Sequence, residues 1–214
     1  MRPFLLVLSA PSGCGKTTIA RRLLEQRPGL AYSVSATTRP ARPGERDGQS
    51  YHFLTPQEFE RRVRAGDFLE WAEYAGHRYG TLRAEVDGIL ASGRTAVLDI
   101  EVQGARQVRK HFAEAVQVFI LPPSGAALAE RLRGRLTEGR ASYIARLKRA
   151  AQEMLAVSEY DFVIINDVLD DAVAEVSAIL DGEGHRVTRQ VGLDQQVETL
   201  RREVAREADA ADTQ

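Results

Sequence analysis

Four short runs of consecutive apolar residues divide the chain and predict the strands of a buried sheet. They are PFLLVL at 3–8, TAVLDI at 95–100, VQVFIL at 116–121 and FVIIND at 162–167. Runs of this kind, bounded by turn residues, are typical of strands that are covered on both faces. Between them, apolar residues recur at helical spacing and predict helices at 16–26, 82–91, 105–111, 124–133, 143–157 and 170–180. The alternation predicts an α/β fold with a parallel sheet core flanked by helices.

The segment from 33 to 94 has a different texture and predicts an insertion into that core. Polar and aromatic residues alternate here, as they do in half-exposed antiparallel strands. Within it, TPQEFERRVRAG predicts a helix with Thr55 as N-cap, Glu58 as its capping-box partner and Gly66 as the end. We therefore assign 1–32 and 95–184 to the core.

Two further segments depart from the strand and helix pattern. The stretch RGRLTEGRAS at 133–142 is rich in arginine and small residues between two predicted helices, which indicates a mobile lid at about 124–146. From 185 to 214 the chain is polar, with a weak helical stripe at Val197, Leu200 and Val204 and a disordered end predicted for ADAADTQ. We expect this tail to be partly helical or disordered.

A candidate phosphate-binding loop follows the first apolar run. SAPSGCGKTT at 9–18 matches the pattern GxxxxGK[ST], with Ala10 in place of the first glycine. A strand before the loop and a helix from Lys16 onward would direct backbone N–H groups and the helix dipole at an anion. Lys16 would then contact the β and γ phosphates of a nucleoside triphosphate, and the Thr17 hydroxyl would ligate Mg²⁺. An ordinary helix cap is the alternative interpretation of this stretch.

Composition narrows the classes of protein. The 214 residues, 43% hydrophobic and 28% charged, suffice for one well-filled domain, and a net charge of -1 gives no reason to expect nucleic acid or a membrane as partner. No apolar run is long enough for a membrane span or a signal peptide. The single cysteine, Cys14, excludes an internal disulfide and indicates a cytoplasmic protein. Cys14 is either a filler of the loop or a redox-sensitive thiol, and the first is favoured.

A second anion site is predicted in the insertion. Arg39 and Arg42 lie three residues apart in a segment that Pro40 keeps from forming a regular helix. Two guanidinium groups held together suit a phosphate group, and Tyr51 and Tyr79 could each add a hydroxyl donor.

With these residues in view, the sequence resembles the guanylate kinases of the bacterial type over about 4–180. The resemblance is carried by SAPSGCGKT, TTRPARPGERDGQSYHFL, FLEW with YGT after it, LDIEVQGA, RLRGRLTE and FVIIND. It implies a guanylate kinase-like domain at 1–184 with the P-loop nucleoside monophosphate kinase fold, a GMP-binding α+β subdomain at 33–94 and a small helical lid. It also implies transfer of the γ-phosphoryl group of MgATP to GMP, giving ADP and GDP.

The resemblance further implies a role for individual residues. Catalytic roles fall to Lys16, Arg39, Arg42, Arg131, Arg135 and Arg146. ATP would be bound by Ala10, Pro11, Ser12, Gly13, Cys14, Gly15, Lys16, Thr17, Thr18 and Asn166, with Asp167 beside it. GMP would be bound by Ser35, Arg39, Arg42, Tyr51, Glu70, Tyr79, Thr81, Asp99 and Glu101, and Mg²⁺ by Thr17 and Asp99. Glu101 stands where many relatives have aspartate, and Leu136 where glycine is common in the lid.

Glu70 is the expected selector of the base. A carboxylate facing guanine accepts hydrogen bonds from both N1–H and the 2-amine, whereas adenine has a lone pair at N1 and no 2-amine. A buried group left unpaired by the wrong base can reduce turnover by a factor on the order of 10⁴.

Two alternative functions remain open to the sequence. One is a catalytically inactive guanylate kinase-like binding module, although such domains tend to have degraded phosphate loops. The other is a related kinase that acts on a phosphorylated sugar, which would have no use for a base-reading set of Ser35, Glu70 and Thr81.

Overall fold

The computed structural model describes residues 1–74, 76–133 and 140–212. Its strands are β1 (Leu5–Ser9), β2 (Leu30–Tyr32), β3 (Ala36–Thr37), β4 (His52–Phe53), β5 (Phe68–Tyr74), β6 (His77–Leu82), β7 (Thr95–Asp99), β8 (Val116–Leu121) and β9 (Phe162–Ile165). Its helices are α1 (Lys16–Gln26), α2 (Pro56–Ala65), α3 (Arg83–Ala91), α4 (Val102–His111), α5 (Gly125–Arg133), α6 (Arg140–Met154), α7 (Leu169–Gly184) and α8 (Leu193–Asp212).

The four apolar runs form neighbouring strands of one parallel sheet, which confirms the predicted core. The strand order is β2-β7-β1-β8-β9, and every pairing in it is parallel. The short strand β2, which the sequence pattern did not predict, extends one edge. Six predicted helices correspond to α1, α3, α4, α5, α6 and α7, with α4 beginning at Val102 instead of 105.

Strand β1 is covered on both faces, as its continuous apolar run predicts. Leu5 and Val7 belong to a core cluster that includes Val86 of α3 and Val108 of α4. Leu6 and its neighbour Leu8 alternate to the opposite face and are also fully buried. Burial on both sides of this strand fixes the position of the loop that follows it.

Strand β9 differs from this expectation because it lies at the edge of the sheet. Phe162, Val163 and Ile165 are 37%, 49% and 49% exposed, and only Ile164 of the strand is buried. The apolar run correctly predicted a strand, but it did not distinguish an edge strand from a central one.

The insertion contains a second sheet, with strand order β4-β3-β6-β5. The pairs β5–β6 and β3–β6 are antiparallel, as predicted, whereas β3 and β4 are parallel. The prediction of antiparallel pairing was therefore wrong for β4. The long segment 38–51 between these two strands explains the difference, because a parallel pair needs a long crossover whereas an antiparallel pair can be joined by a tight turn.

Helix α2 begins and ends at the predicted residues. The Thr55 hydroxyl accepts a hydrogen bond from the Glu58 N–H at 3.1 Å, and Gly66 ends the helix with a φ of 74°. A side-chain cap at one end and a left-handed glycine at the other satisfy backbone groups that the helix itself leaves unpaired.

The chain forms two compact units, one of Pro3–Ser177 and one of Met1–Arg2 with Ala178–Gln214. In the second unit, the buried guanidinium of Arg189 pairs with Glu183 at 3.0 Å, and the Arg2 N–H donates to the Arg189 carbonyl at 2.7 Å. Helix α8 continues to Asp212, where the sequence predicted disorder, because its last turns contain alanine, the strongest helix former. Within the described ranges, none of the helices is long and apolar enough to cross a membrane.

Candidate active site

The turn between β1 and α1 requires glycine at two positions. Gly13 and Gly15 have φ values of 94° and 88°, in the left-handed region that favours glycine. A Cβ atom on Gly13 would lie 2.9 Å from the Leu132 side chain, and one on Gly15 would lie 2.4 Å from the Asn166 amide nitrogen. Both conformation and space therefore exclude larger residues here, and the helix starts directly afterwards at Lys16.

Lys16 lies among acceptors at the carboxyl end of β7. Its Nζ is 2.8 Å from Asp99 Oδ1 and 3.7 Å from Glu101 Oε1, and it donates to the Ile100 carbonyl at 2.8 Å. Burial acts to lower the pKa of Lys16, but the two carboxylates outweigh it and raise that pKa above its ordinary value. The side chain is therefore a permanent cation at neutral pH.

Thr17 and Asp99 form a pair of oxygen ligands for a cation beside Lys16. The Thr17 hydroxyl donates to Asp99 Oδ2 at 2.7 Å. In the part of the chain that the structure describes, three or more His, Cys, Asp or Glu side chains nowhere gather into a metal site of their own. A hydroxyl and one carboxylate are the small protein contribution that suits Mg²⁺ when substrate phosphates supply further ligands.

A cavity of about 400 Å³ joins this loop to the insertion. Of the site residues predicted from the sequence, it is lined by Ala10, Pro11, Ser12, Gly13, Cys14, Gly15, Lys16, Thr17, Thr18, Ser35, Arg39, Arg42, Tyr51, Glu70, Tyr79, Asp99 and Glu101. The fold thus brings the loop and the insertion residues to one space, although they are far apart along the chain. A cavity of this volume is in the range of small-molecule sites.

Arg39 is held in place by a carboxylate of its own segment. Its Nη2 donates to both carboxylate oxygens of Glu45, at 2.8 and 3.0 Å, and the backbone N–H of Arg42 donates to the same carboxylate at 2.7 Å. The guanidinium carbon of Arg39 lies 5.4 Å from the centre of the Tyr51 ring. Sequence reasoning assigned no role to Glu45, although its place six residues after Arg39 is a usable signal.

Glu70 is a buried carboxyl group, only 4% exposed, on the edge strand β5. Thr81 on the paired strand β6 donates its hydroxyl to Glu70 Oε1 at 2.6 Å. Burial raises the pKa of Glu70 to about 7, and hydrogen bonds from Thr81 offset only part of that rise. Thr81 therefore holds the carboxyl to which the resemblance assigns recognition of the base, and Ser35 lines the same cavity.

Residues predicted for the lid and the ATP side converge on the phosphate loop. Arg146 of α6 donates to the Ser12 hydroxyl at 2.9 Å, and Arg131 of α5 donates to the Asn166 carbonyl at 2.9 Å. The Asn166 amide donates to the Cys14 carbonyl at 2.7 Å and so holds the backbone of the phosphate loop in place. Asp167 is exposed. Arg135 and Leu136 lie outside the described residues.

Cys14 is fully buried within the loop. Burial raises the pKa of its thiol to about 12. Only the thiolate is an effective nucleophile, so this environment favours the loop-filler interpretation of Cys14.

Several residues that line the cavity were not predicted from the sequence: Tyr32, Glu45, Ala72, Tyr74, Gly80, Ile100 and Gly104. Tyr32 ends the short strand β2, which gave no pattern long enough to be recognised. Ile100 and Gly104 belong to LDIEVQGA, a stretch in which the resemblance assigns roles to Asp99 and Glu101 alone.

Comparison with known proteins identifies the family of this chain. The sequence profile of the family described as Guanylate kinase matches residues 2–183. The chain is 47% identical over 204 residues to a guanylate kinase of Rhodopseudomonas palustris, covering 95% of this chain and 93% of that protein. It is 44% identical over 189 residues to one of Thermotoga maritima, covering 88% and 91%.

A solved structure gives the same result for the fold. The crystal structure of guanylate kinase from Anaplasma phagocytophilum superposes with a TM-score of 0.76 at 37% identity, covering 92% of this chain and 94% of that one. A parallel sheet flanked by helices, a glycine loop after its first strand and similarity over nearly the whole length place this protein in the guanylate kinase family.

Proposed function

We propose that the protein transfers the γ-phosphoryl group of MgATP to GMP, giving ADP and GDP. The observation that carries the proposal is a buried carboxyl, Glu70, in the same cavity as a phosphate loop that begins a helix with Lys16. One half of the cavity suits a nucleoside triphosphate, and the other suits a base that offers two donors.

Guanine recognition falls to Glu70, Thr81 and Ser35 in this proposal. The Thr81 hydroxyl donates a hydrogen bond to Oε1 of Glu70 at 2.6 Å and fixes the orientation of the carboxyl plane. As a carboxylate, Glu70 accepts from N1–H and the 2-amine of guanine, which restores the hydrogen bonds that burial removed. Adenine offers neither of these donors and would leave the buried carboxylate with Thr81 as its side-chain donor but no donor from the base, which supports GMP over AMP as acceptor.

The phosphate of GMP is assigned to the arginine and tyrosine side of the cavity. Glu45 holds the Arg39 guanidinium at 2.8 Å, so this cation is ordered before the substrate arrives. Arg42, Tyr51 and Tyr79 line the same cavity and complete the set. A preformed cation loses little conformational entropy when phosphate binds, which favours affinity.

The acceptor needs no general base. A phosphate monoester has a second pKa of about 6, so at neutral pH its attacking oxygen is already mostly deprotonated. The main barrier is repulsion between two polyanions. Lys16 and the arginines Arg39, Arg42, Arg131 and Arg146 would offset that repulsion and stabilise the charge on the migrating group, with Arg135 of the lid proposed to join them.

We assign Mg²⁺ to Thr17 Oγ1 and the Asp99 carboxylate, which lie within 2.7 Å of each other. When bound with ATP, the ion would supply charge neutralisation between the phosphate groups. Asp99 also forms an ion pair with Lys16 at 2.8 Å, and this contact fixes the positions of Asp99 and Lys16 relative to each other.

Release of ADP from MgATP, measured with GMP, AMP, CMP, UMP or ribose 1,5-bisphosphate as acceptor, tests the proposal. Turnover with GMP alone is expected, with a no-acceptor control to measure the background ATPase. Folded protein that binds GMP but turns over none of the acceptors would favour a binding module. Turnover with the sugar phosphate alone would contradict the role of Glu70.

A cytoplasmic location belongs to the same proposal and rests on the single cysteine.

A further inference from the structure

Helix α4 of the parallel core meets the edge strand of the insertion at Glu70. Two α4 residues, Gly104 and Gln107, lie three positions apart and hence on one face of the helix. Both face strand β5, one at the Glu70 carboxyl and the other at the Trp71 backbone. The sequence assigned a role to neither residue.

Gly104 leaves space that the Glu70 carboxyl occupies. A Cβ atom built on Gly104 would lie 2.3 Å from Glu70 Oε2 and 3.0 Å from its Cδ. Real Cβ atoms essentially never approach an oxygen this closely, so even alanine would force the carboxyl to move. Backbone conformation does not require glycine here, since the φ of Gly104 does not lie in the left-handed region. Alanine would be the better helix former, so glycine is explained by the space it leaves.

The carboxyl has little freedom to move aside. Its other oxygen, Oε1, is held by Thr81 at 2.6 Å. The backbone of Glu70 is confined as well, because a Cβ on Gly80 of the paired strand would lie 2.8 Å from the Glu70 carbonyl oxygen. Glu70 is thus enclosed by β6 on one side and α4 on the other.

Gln107 prevents strand β5 from moving away from the helix. Its Oε1 accepts from the Trp71 N–H at 3.2 Å, and its Nε2 donates to the Trp71 carbonyl at 2.7 Å. Because β5 is the edge of its sheet, these backbone groups face away from β6. The carboxamide offers the same donor and acceptor as a peptide group, so Gln107 takes the place of a further strand.

We propose that Gly104 and Gln107 are positioning residues for base selection: Gly104 supplies the space for the Glu70 carboxyl, and Gln107 fixes the strand that carries it. The inference rests on the proposed function, since it assumes that Glu70 reads guanine. It deepens that function by placing part of the base specificity on a helix of the core, outside the GMP-binding insertion.

The test compares GMP with IMP as acceptors for wild type and Gly104→Ala. IMP keeps N1–H but lacks the 2-amine, so the ratio of kcat/KM for GMP over IMP reports whether the carboxylate meets both donors. Wild type should prefer GMP by about 10- to 100-fold, the value of one hydrogen bond to a charged group. In Gly104→Ala the ratio should fall to within a few-fold of one, while KM for ATP changes less than about twofold.

Gly88→Ala is the matched control. Gly88 is an exposed glycine of helix α3, and a Cβ there would meet no atom within 4 Å. This variant adds the same methyl group to a helix without touching the site, so its ratio should equal that of wild type. General damage to the protein would lower kcat/KM for GMP and IMP together and leave their ratio unchanged.

A second pair of variants decides the matter if Gly104→Ala does not fold. Gln107→Leu keeps the side-chain size but removes both hydrogen bonds to Trp71, and should lower the GMP to IMP ratio by several-fold. Gln103→Leu, one turn earlier on α4 at an exposed position, is its control. A folded Gly104→Ala, or failing that Gln107→Leu, with the wild-type ratio would overturn the inference. Wild type that phosphorylates neither GMP nor IMP would instead overturn the proposed function.

Discussion

The ammonium group of Lys16 lies 2.8 Å from Oδ1 of Asp99, while Oδ2 of the same carboxylate accepts a hydrogen bond from Thr17 at 2.7 Å. One acidic residue at the end of β7 therefore orients the first two side chains of helix α1, which we propose to contact ATP and Mg²⁺. The loop, which follows β1, depends on the neighbouring strand β7 for its geometry.

Replacement of Lys16 by alanine should remove most turnover and leave GMP binding largely intact. The lysine faces the phosphates of ATP in our proposal, whereas most of the residues assigned to GMP, such as Arg39 and Glu70, belong to the insertion. We expect kcat to fall by about 100- to 1,000-fold or more, as for other preorganised groups that stabilise transition-state charge. Steady-state kinetics and GMP binding by calorimetry would measure the two effects separately.

Lys110→Ala is the control for that variant, since Lys110 is an exposed residue of α4. It should retain wild-type kcat. Near wild-type turnover in Lys16→Ala would show that Lys16 does not act on the phosphates.

Glu70→Gln should stabilise the free protein, and more strongly at pH 8 than at pH 5. Burial raises the pKa of Glu70 from about 4.5 to about 7, so the folded state holds this proton more tightly than the unfolded state does. The folded protein is therefore progressively destabilised as pH rises from 4.5 to 7, by about 3 kcal/mol in total, and a neutral amide avoids this. Urea denaturation at the two pH values would measure the free energy of unfolding.

Glu73→Gln on the same strand is the matched control, because Glu73 is exposed. Glu73→Gln should change the free energy of unfolding only slightly at both pH values. Glu70→Gln should also lose most of its affinity for GMP, since an amide accepts only at one atom. An equal gain in stability at pH 5 and pH 8 would contradict the account of Glu70 as a carboxyl destabilised by burial.

Local patterns in the sequence were sufficient for the parallel core and for the phosphate loop. Helix α1 begins and ends at the predicted residues, because a buried strand, two glycines and an amphipathic helix are all signalled within one short stretch. The cap at Thr55 and the end at Gly66 were predicted for the same reason.

Contacts between distant segments could not be predicted in this way. Periodicity indicates which face of α4 is buried, but not that Gly104 lies against Glu70 of a different sheet. Likewise, the exposure of β9 depends on its place at the edge of the sheet. The apolar pattern of a single strand does not predict the order of the strands.

Cys14 should react slowly with thiol reagents in the folded protein. Its side chain is fully buried, and burial raises the pKa of the thiol to about 12, so almost no thiolate exists at neutral pH. We expect alkylation by iodoacetamide at pH 7.5 to be at least about 1,000-fold slower than in urea-denatured protein. Mass spectrometry over time would give both rates. Rapid labelling of the folded protein with parallel loss of turnover would instead identify Cys14 as a redox-sensitive thiol.

Asn166→Ala should weaken the binding of every phosphoryl donor equally. The Asn166 amide donates to the Cys14 carbonyl at 2.7 Å, and its removal leaves a buried acceptor unpaired in the phosphate loop. A lost hydrogen bond of this kind costs about 1–3 kcal/mol, so KM for ATP should rise by about 10-fold while KM for GMP stays near its wild-type value.

Comparison of ATP with GTP as donor separates this role from direct contact with the base. If Asn166 supports the loop, which binds phosphates common to both nucleotides, the ratio of kcat/KM for ATP over GTP should stay at its wild-type value. If its side chain instead contacts and selects adenine, that ratio should fall in Asn166→Ala. Since the amide already donates to Cys14 and lies 2.4 Å from where a Gly15 Cβ would be, the loop is its partner in this structure, and we expect the unchanged ratio.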